Sequence, residues 1–126
     1  MEITPGMTRT QTFTVKDDHT AAHLGSGDMQ VLSTPMMIAF MENTALNLLA
    51  DRVEPGFSSV GTHVDIRHLA PTALGDQVQV TATVQEVDGN KITLTVEARE
   101  GEKLVGTGTH CRAVIDVARF LKNVGG

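Results

Sequence analysis

TPMMIAFMENTALNLLADRV, residues 34 to 53, is the long helix candidate of this chain, and its reading decides the fold. Thr34 can cap it, and Pro35 suits the first helical turn, where its missing N–H would have no partner anyway. Met36, Met37, Ile38, Ala39, Phe40 and Met41 are apolar on every side. A helix of that kind must be covered by other parts of the protein. Glu54-Pro55-Gly56 ends it.

What surrounds the helix reads as β-structure. Upstream, Thr8 to Val15 is a first strand, with Phe13 and Val15 on alternate positions. Residues 17 to 33, with Gly25, Ser26 and Gly27 in the middle, read as a loop or mobile lid with a short helical turn. Downstream, Thr62 to Leu69 alternates, placing Thr62, Val64, Ile66 and His68 on one face and His63, Asp65 and Arg67 on the other. Val78, Val80, Ala82 and Val84 alternate with polar residues, Asp88-Gly89-Asn90 makes a hairpin turn, and Ile92, Leu94, Val96 and Ala98 return. A last long strand runs from Leu104 to about Val117. Tight turns imply an antiparallel meander, and one buried helix is covered only if that sheet curls around it. The expectation is an α+β fold: one long central helix wrapped by a curved antiparallel sheet of five to six strands. The leftover sheet edges suggest a dimer with strands paired edge to edge.

The 126 residues fit a single domain, residues 1–126, and the 40% hydrophobic content belongs to a globular chain. A formal net charge of -5, with no Trp or Tyr, argues against nucleic acid or an anionic membrane surface as partner. The single cysteine, Cys111, excludes an intrachain disulfide framework and is read as a packed thiol. No signal peptide or membrane-spanning run is recognisable, so the cytoplasm is the expected location. His19, His23, His63 and His110 show no metal-ligand spacing, so no metal site is expected.

Glu42 is the most informative residue. Its helical neighbours Ile38, Ala39, Ala45 and Leu46 are apolar, whereas the polar stripe is Asn43, Thr44, Asn47 and Asp51. Glu42 lies about 150° from the centre of that stripe at the usual helical turn per residue. A carboxylate there is expected to be buried, and desolvation would raise its pKa toward that of a general acid or base; the alternative is a Glu paired with a buried Arg, or one exposed beside the helix end. His68 shares a face with Val64 and Ile66, so it points inward and makes a candidate acid/base pair with Glu42. Thr34 is either a cap or a substrate contact beside the helix N-terminus, whose free N–H groups favour a developing oxyanion. Thr34 and Glu42 stand eight residues apart, about 12 Å along a helix axis, so substrate, His68 or a second protomer must connect them. Gly61 opens the strand that carries His68, either as a simple bulge glycine or as a backbone N–H left free for a ligand.

Together these pieces resemble the fluoroacetyl-CoA thioesterase-like family of the hot-dog fold. The resemblance is carried by Thr34 with Glu42 eight residues later, Gly61-Thr62 leading to His68, and Gly106-Thr107-Gly108-Thr109-His110 followed by Arg112-Ala113-Val114-Ile115. It runs from about residue 5 to residue 120. It implies that Thr34, Glu42 and His68 are catalytic, that Gly61 helps bind the thioester carbonyl, and that the protein is a homodimer, possibly a tetramer, with sites at the subunit interface. It implies no metal or redox cofactor. The fluoroacetyl-specific member carries an aromatic lid between its first strand and its helix. Here residues 16 to 39 hold no Phe, Tyr or Trp, so a different short or medium acyl group is expected.

The expected chemistry is hydrolysis of an acyl-CoA to free acid and coenzyme A. Backbone N–H groups near Gly61 or the helix start would polarise the carbonyl, and Glu42 would activate water or attack to give an anhydride. His68 would move protons toward the departing thiolate, and Thr34 would position the substrate or attack it. Arg67 and Arg112 are the candidates for the coenzyme A phosphates. An acyl-CoA hydratase/dehydratase and a non-catalytic acyl-CoA-binding module are the competing readings, because one fold can host all three.

Overall fold

A computed structural model describes residues 1–125. Five strands form one antiparallel sheet in the order β1-β3-β4-β5-β2: β1 Thr8–Thr14, β2 Phe57–His68, β3 Gln77–Asp88, β4 Lys91–Glu100 and β5 Lys103–Asp116. The pairing register slips between Gly61 and His63, between Val84 and Glu86, and between Ala98 and Arg99. Such bulges add local twist, which lets the sheet curl around a helix. That helix is α2, Thr34–Ala50; a single turn, α1 Ala21–Leu24, precedes it, and α3, Val117–Val124, ends the chain.

The core is the seam between α2 and the inward face of the sheet. Met37, Met41, Ala45, Leu48 and Leu49 of α2 are buried with Val78, Val80, Ala82 and Val84 of β3 and Ile92, Leu94, Val96 and Ala98 of β4. The alternation of the strands therefore maps onto the real interior. Gly106 of β5 makes room for the helix: a Cβ there would stand 2.5 Å from the Met37 sulfur. Met41 is 1% exposed. Met41→Ala should cost about 2–5 kcal/mol of stability through the cavity left behind, measurable by denaturant unfolding.

Three expectations need correction. Thr34 is not the cap of α2: Ser33 is, its hydroxyl accepting from the Met36 N–H at 3.2 Å, which frees the Thr34 side chain. The helix ends at Ala50 rather than near Val53. β2 begins at Phe57, before the alternation becomes visible at Thr62. The last strand ends at Asp116, in keeping with the expected bound, and there the carboxylate accepts from the Arg119 N–H at 3.1 Å and caps α3, a helix of two turns that was not expected. Val117, Phe120, Leu121 and Val124 have helical spacing, and that signal could have located it.

The segment between β1 and α2 is tied down at both ends. A 3-10 turn at Asp17–His19 and α1 are joined to the body by Ser33 N–H donating to the His19 carbonyl at 3.0 Å and Leu32 N–H donating to the Thr72 carbonyl at 2.8 Å. His19 packs edge-on against Phe40, which stacks on Phe13 with ring centres 4.2 Å apart.

Candidate active site

The two flanks of α2 face different strands. On one, Gln11 of β1 donates to Asn43 at 3.0 Å and accepts from Asn47 at 2.8 Å, so the polar stripe is a strut against the sheet. The other flank, opposite that stripe, faces β2 and carries Glu42. Between the strut and that flank, the helix leaves Leu46 half-buried and Ala39 and Ala50 exposed, and Ile38, one turn before Glu42, is half-buried as well.

Glu42 is therefore not buried as expected. Its side chain is 44% exposed, because the flank toward β2 lies open within one chain. Its carboxylate Oε2 stands 3.9 Å from Nη1 of Arg112 on β5. Gly61 of β2 permits this arrangement: a Cβ there would fall 2.5 Å from the same carboxylate oxygen. Gly61 thus leaves beside Glu42 the space that a side chain would fill.

Arg112 is 5% exposed. Its Nε donates to the Ser59 hydroxyl at 2.8 Å and its Nη2 to the Ser59 carbonyl at 2.9 Å. Its Nη1 donates to Nε2 of His110 at 3.1 Å. The phosphate-binding role expected for Arg112 does not fit this placement, since the guanidinium is enclosed and engaged from inside the fold. Arg67 remains exposed and makes no ion pair among the described residues. Sequence reasoning missed Ser59 and His110. His110 did sit two residues before Arg112 in an alternating strand, so a shared inward face was available as a signal.

Thr34 and His68 form the second part of the site. Freed from capping, the Thr34 hydroxyl lies 2.7 Å from Nδ1 of His68. When the ring carries its proton on Nε2, that hydroxyl is the donor, which is the arrangement that activates a hydroxyl. Nε2 is sealed from solvent without a hydrogen bond. Both residues line a cavity of about 280 Å³ with Val31, Leu32, Leu69, Ala70 and Pro71. Thr34 is also the first residue of α2, so its N–H has no carbonyl within the helix to donate to. That free donor and the helix dipole favour negative charge beside the hydroxyl.

His68 and Glu42 do not meet directly. Among the described residues His68 bonds Thr34 and Glu42 pairs with Arg112, and the two groups are separated along α2. The site comes as an apolar cavity bearing a hydroxyl–imidazole pair, and a carboxylate–guanidinium pair farther down the same helix.

Burial pushes the pKa of His68 below its ordinary 6.5, opposed by the nearby Ala70 backbone, which does not complete a hydrogen bond to Nε2. Burial also lowers that of His110, with the positive Arg112 adding to the effect and the His63 carbonyl and Glu42 opposing it. Both rings bind protons in the unfolded chain at pH values where the folded site resists them. Stability should therefore hold above about pH 6.5 and fall as pH drops from there toward the lowered folded values. Thermal midpoints measured across that range check the sign, and a rise in midpoint on acidification would contradict it.

The curled antiparallel sheet wrapped around one long helix is the hot-dog fold. A family model described as fluoroacetyl-CoA-specific thioesterase matches residues 15–118, and the chain belongs to that family, whose members are hydrolases acting on thioesters. A fluoroacetyl-CoA thioesterase of Streptantibioticus cattleyicolor is 37% identical over 91 residues, spanning 72% of this chain and 66% of its own length. Among solved structures, a variant of the fluoroacetyl-CoA-specific thioesterase FlK in complex with fluoroacetate and CoA superposes with a TM-score of 0.88 at 33% identity, covering 94% of this chain and 99% of that one. A Thermus thermophilus thioesterase superfamily member gives 0.90 at 26% identity, covering 98% and 93%. Among the described residues no helix is long and apolar enough to cross a membrane.

Proposed function

We propose that the protein hydrolyses a short or medium acyl-CoA to the free acid and coenzyme A. The observation that carries this reading is the 2.7 Å contact between the Thr34 hydroxyl and His68 Nδ1 at the start of α2, in an apolar cavity. A thioester carbonyl placed there meets the Thr34 N–H, which is positioned to stabilise the oxyanion. His68 carries the proton from the hydroxyl or a water toward the departing sulfur. Glu42, held by Arg112, acts as the base for the attacking water or as the nucleophile. Thiolates leave readily, so this set needs no metal or redox cofactor. Arg67 is the remaining candidate for the coenzyme A phosphates. Residues 16 to 39, the segment between β1 and α2 with the first turns of that helix, have no aromatic side chain, which supports an acyl group other than fluoroacetyl.

The working form in this reading is a homodimer in the cytoplasm. β2 is an edge strand of twelve residues with Phe57 and Val64 exposed, and an open edge of that length is a template for pairing with a second copy. The uncovered apolar flank of α2 beside Glu42 supports the same association. A second copy would also close the gap between the Thr34–His68 and Glu42–Arg112 groups. The test is thiol release from a panel of acyl-CoAs of increasing length, with the molar mass in solution measured alongside. Release from one chain-length class supports the reading, whereas coenzyme A binding without release would replace it with a hydratase or a binding module.

A further inference from the structure

We propose that His110 is a positioning residue of this site, acting as a neutral hydrogen-bond acceptor that aims Arg112 at Glu42. The argument rests on donors and acceptors. An arginine has N–H donors and no acceptor, so the 3.1 Å contact from Arg112 Nη1 requires a lone pair on His110 Nε2. The ring proton must then sit on Nδ1, which lies 2.8 Å from the His63 carbonyl and donates to it. Both nitrogens are satisfied in one neutral tautomer only. With the Ser59 hydroxyl and carbonyl holding Nε and Nη2, His110 is the third contact and the one beside the atom facing Glu42.

The ring is 1% exposed. The charged groups around it are Arg112 on its own strand, Glu42 from α2 and His63 from β2. Its neighbours across the ladder, Leu94 of β4 and Val64 of β2, are apolar. Protonation would turn Nε2 from acceptor to donor and set a second positive charge against Arg112. The guanidinium would then lose its third contact and its alignment with the carboxylate. The consequence is an acid limb in activity that belongs to His110, separate from any belonging to His68.

This inference rests on the thioesterase reading for its kinetic consequence, so the test has a second arm that does not. His110→Gln keeps an acceptor that does not titrate in this range, whereas His110→Leu removes the acceptor. In thiol release, the Leu variant should lose about 10- to 100-fold in kcat, the range expected for a lost hydrogen bond to a charged group, with KM within a few-fold. The Gln variant should keep kcat within a few-fold and show a shallower acid limb. Independently of turnover, the guanidinium nitrogen resonances of Arg112 report its contacts. They should move in the Leu variant and stay near wild type in the Gln variant. In the wild-type protein, ring nitrogen shifts should show the proton on Nδ1. Finding it on Nε2, or unchanged Arg112 guanidinium resonances in the Leu variant, would overturn the proposal even if no acyl-CoA is hydrolysed.

Discussion

Glu42→Gln should lower kcat by about 10²- to 10⁴-fold, the range expected when a positioned acid/base group is lost, and leave the fold intact. The carboxylate is close in shape to the carboxamide that replaces it, and Gly61 leaves room for either. Arg112 loses its facing negative charge yet keeps Ser59 and His110, so the thermal midpoint should fall only slightly. Glu42→Asp retains the charge and withdraws it by one methylene, which should place it between Gln and wild type. Thiol release and thermal unfolding on the same preparations check this. Full turnover by the Gln variant would remove Glu42 from the chemistry.

The second large effect is expected at Thr34 and His68, which share a 2.7 Å contact. If they act as one unit, Thr34→Ala and His68→Ala should each reduce kcat by about 10²- to 10⁴-fold, and the double variant should lose little more than the worse single one. Thr34→Ser keeps the hydroxyl and should retain much of the activity. The capping contact belongs to Ser33, so Thr34→Ala should not unravel the start of α2. A double variant whose loss equals the product of the single losses would mean that the two residues work independently.

Much of this architecture was legible in the residues themselves. The period-two pattern in β3 and β4 matches the buried face residue for residue, because both strands lie in the middle of the sheet, where one face must be apolar. The all-apolar start of α2 announced a wrapped helix, and the contact between Thr34 and His68 joins two residues that the sequence singles out. α3 was passed over because a strand of fourteen residues runs into it without a glycine or proline to mark the end. The exposure of Glu42 was misjudged because helical periodicity gives a residue's direction and not what covers that side.

By itself, then, the sequence determined the strands, the wrapped helix and the residue types of the site, since local periodicity and propensity act over a few residues. Tertiary structure alone decided which of those residues meet. Ser33 took the cap and released Thr34 toward His68. The pairing of β2 with β5 brought Ser59 onto Arg112 and the His63 carbonyl onto His110, contacts between residues more than 40 positions apart in the chain. A hydrogen bond depends on a few tenths of an ångström between groups distant in sequence, and only the packed fold sets that distance.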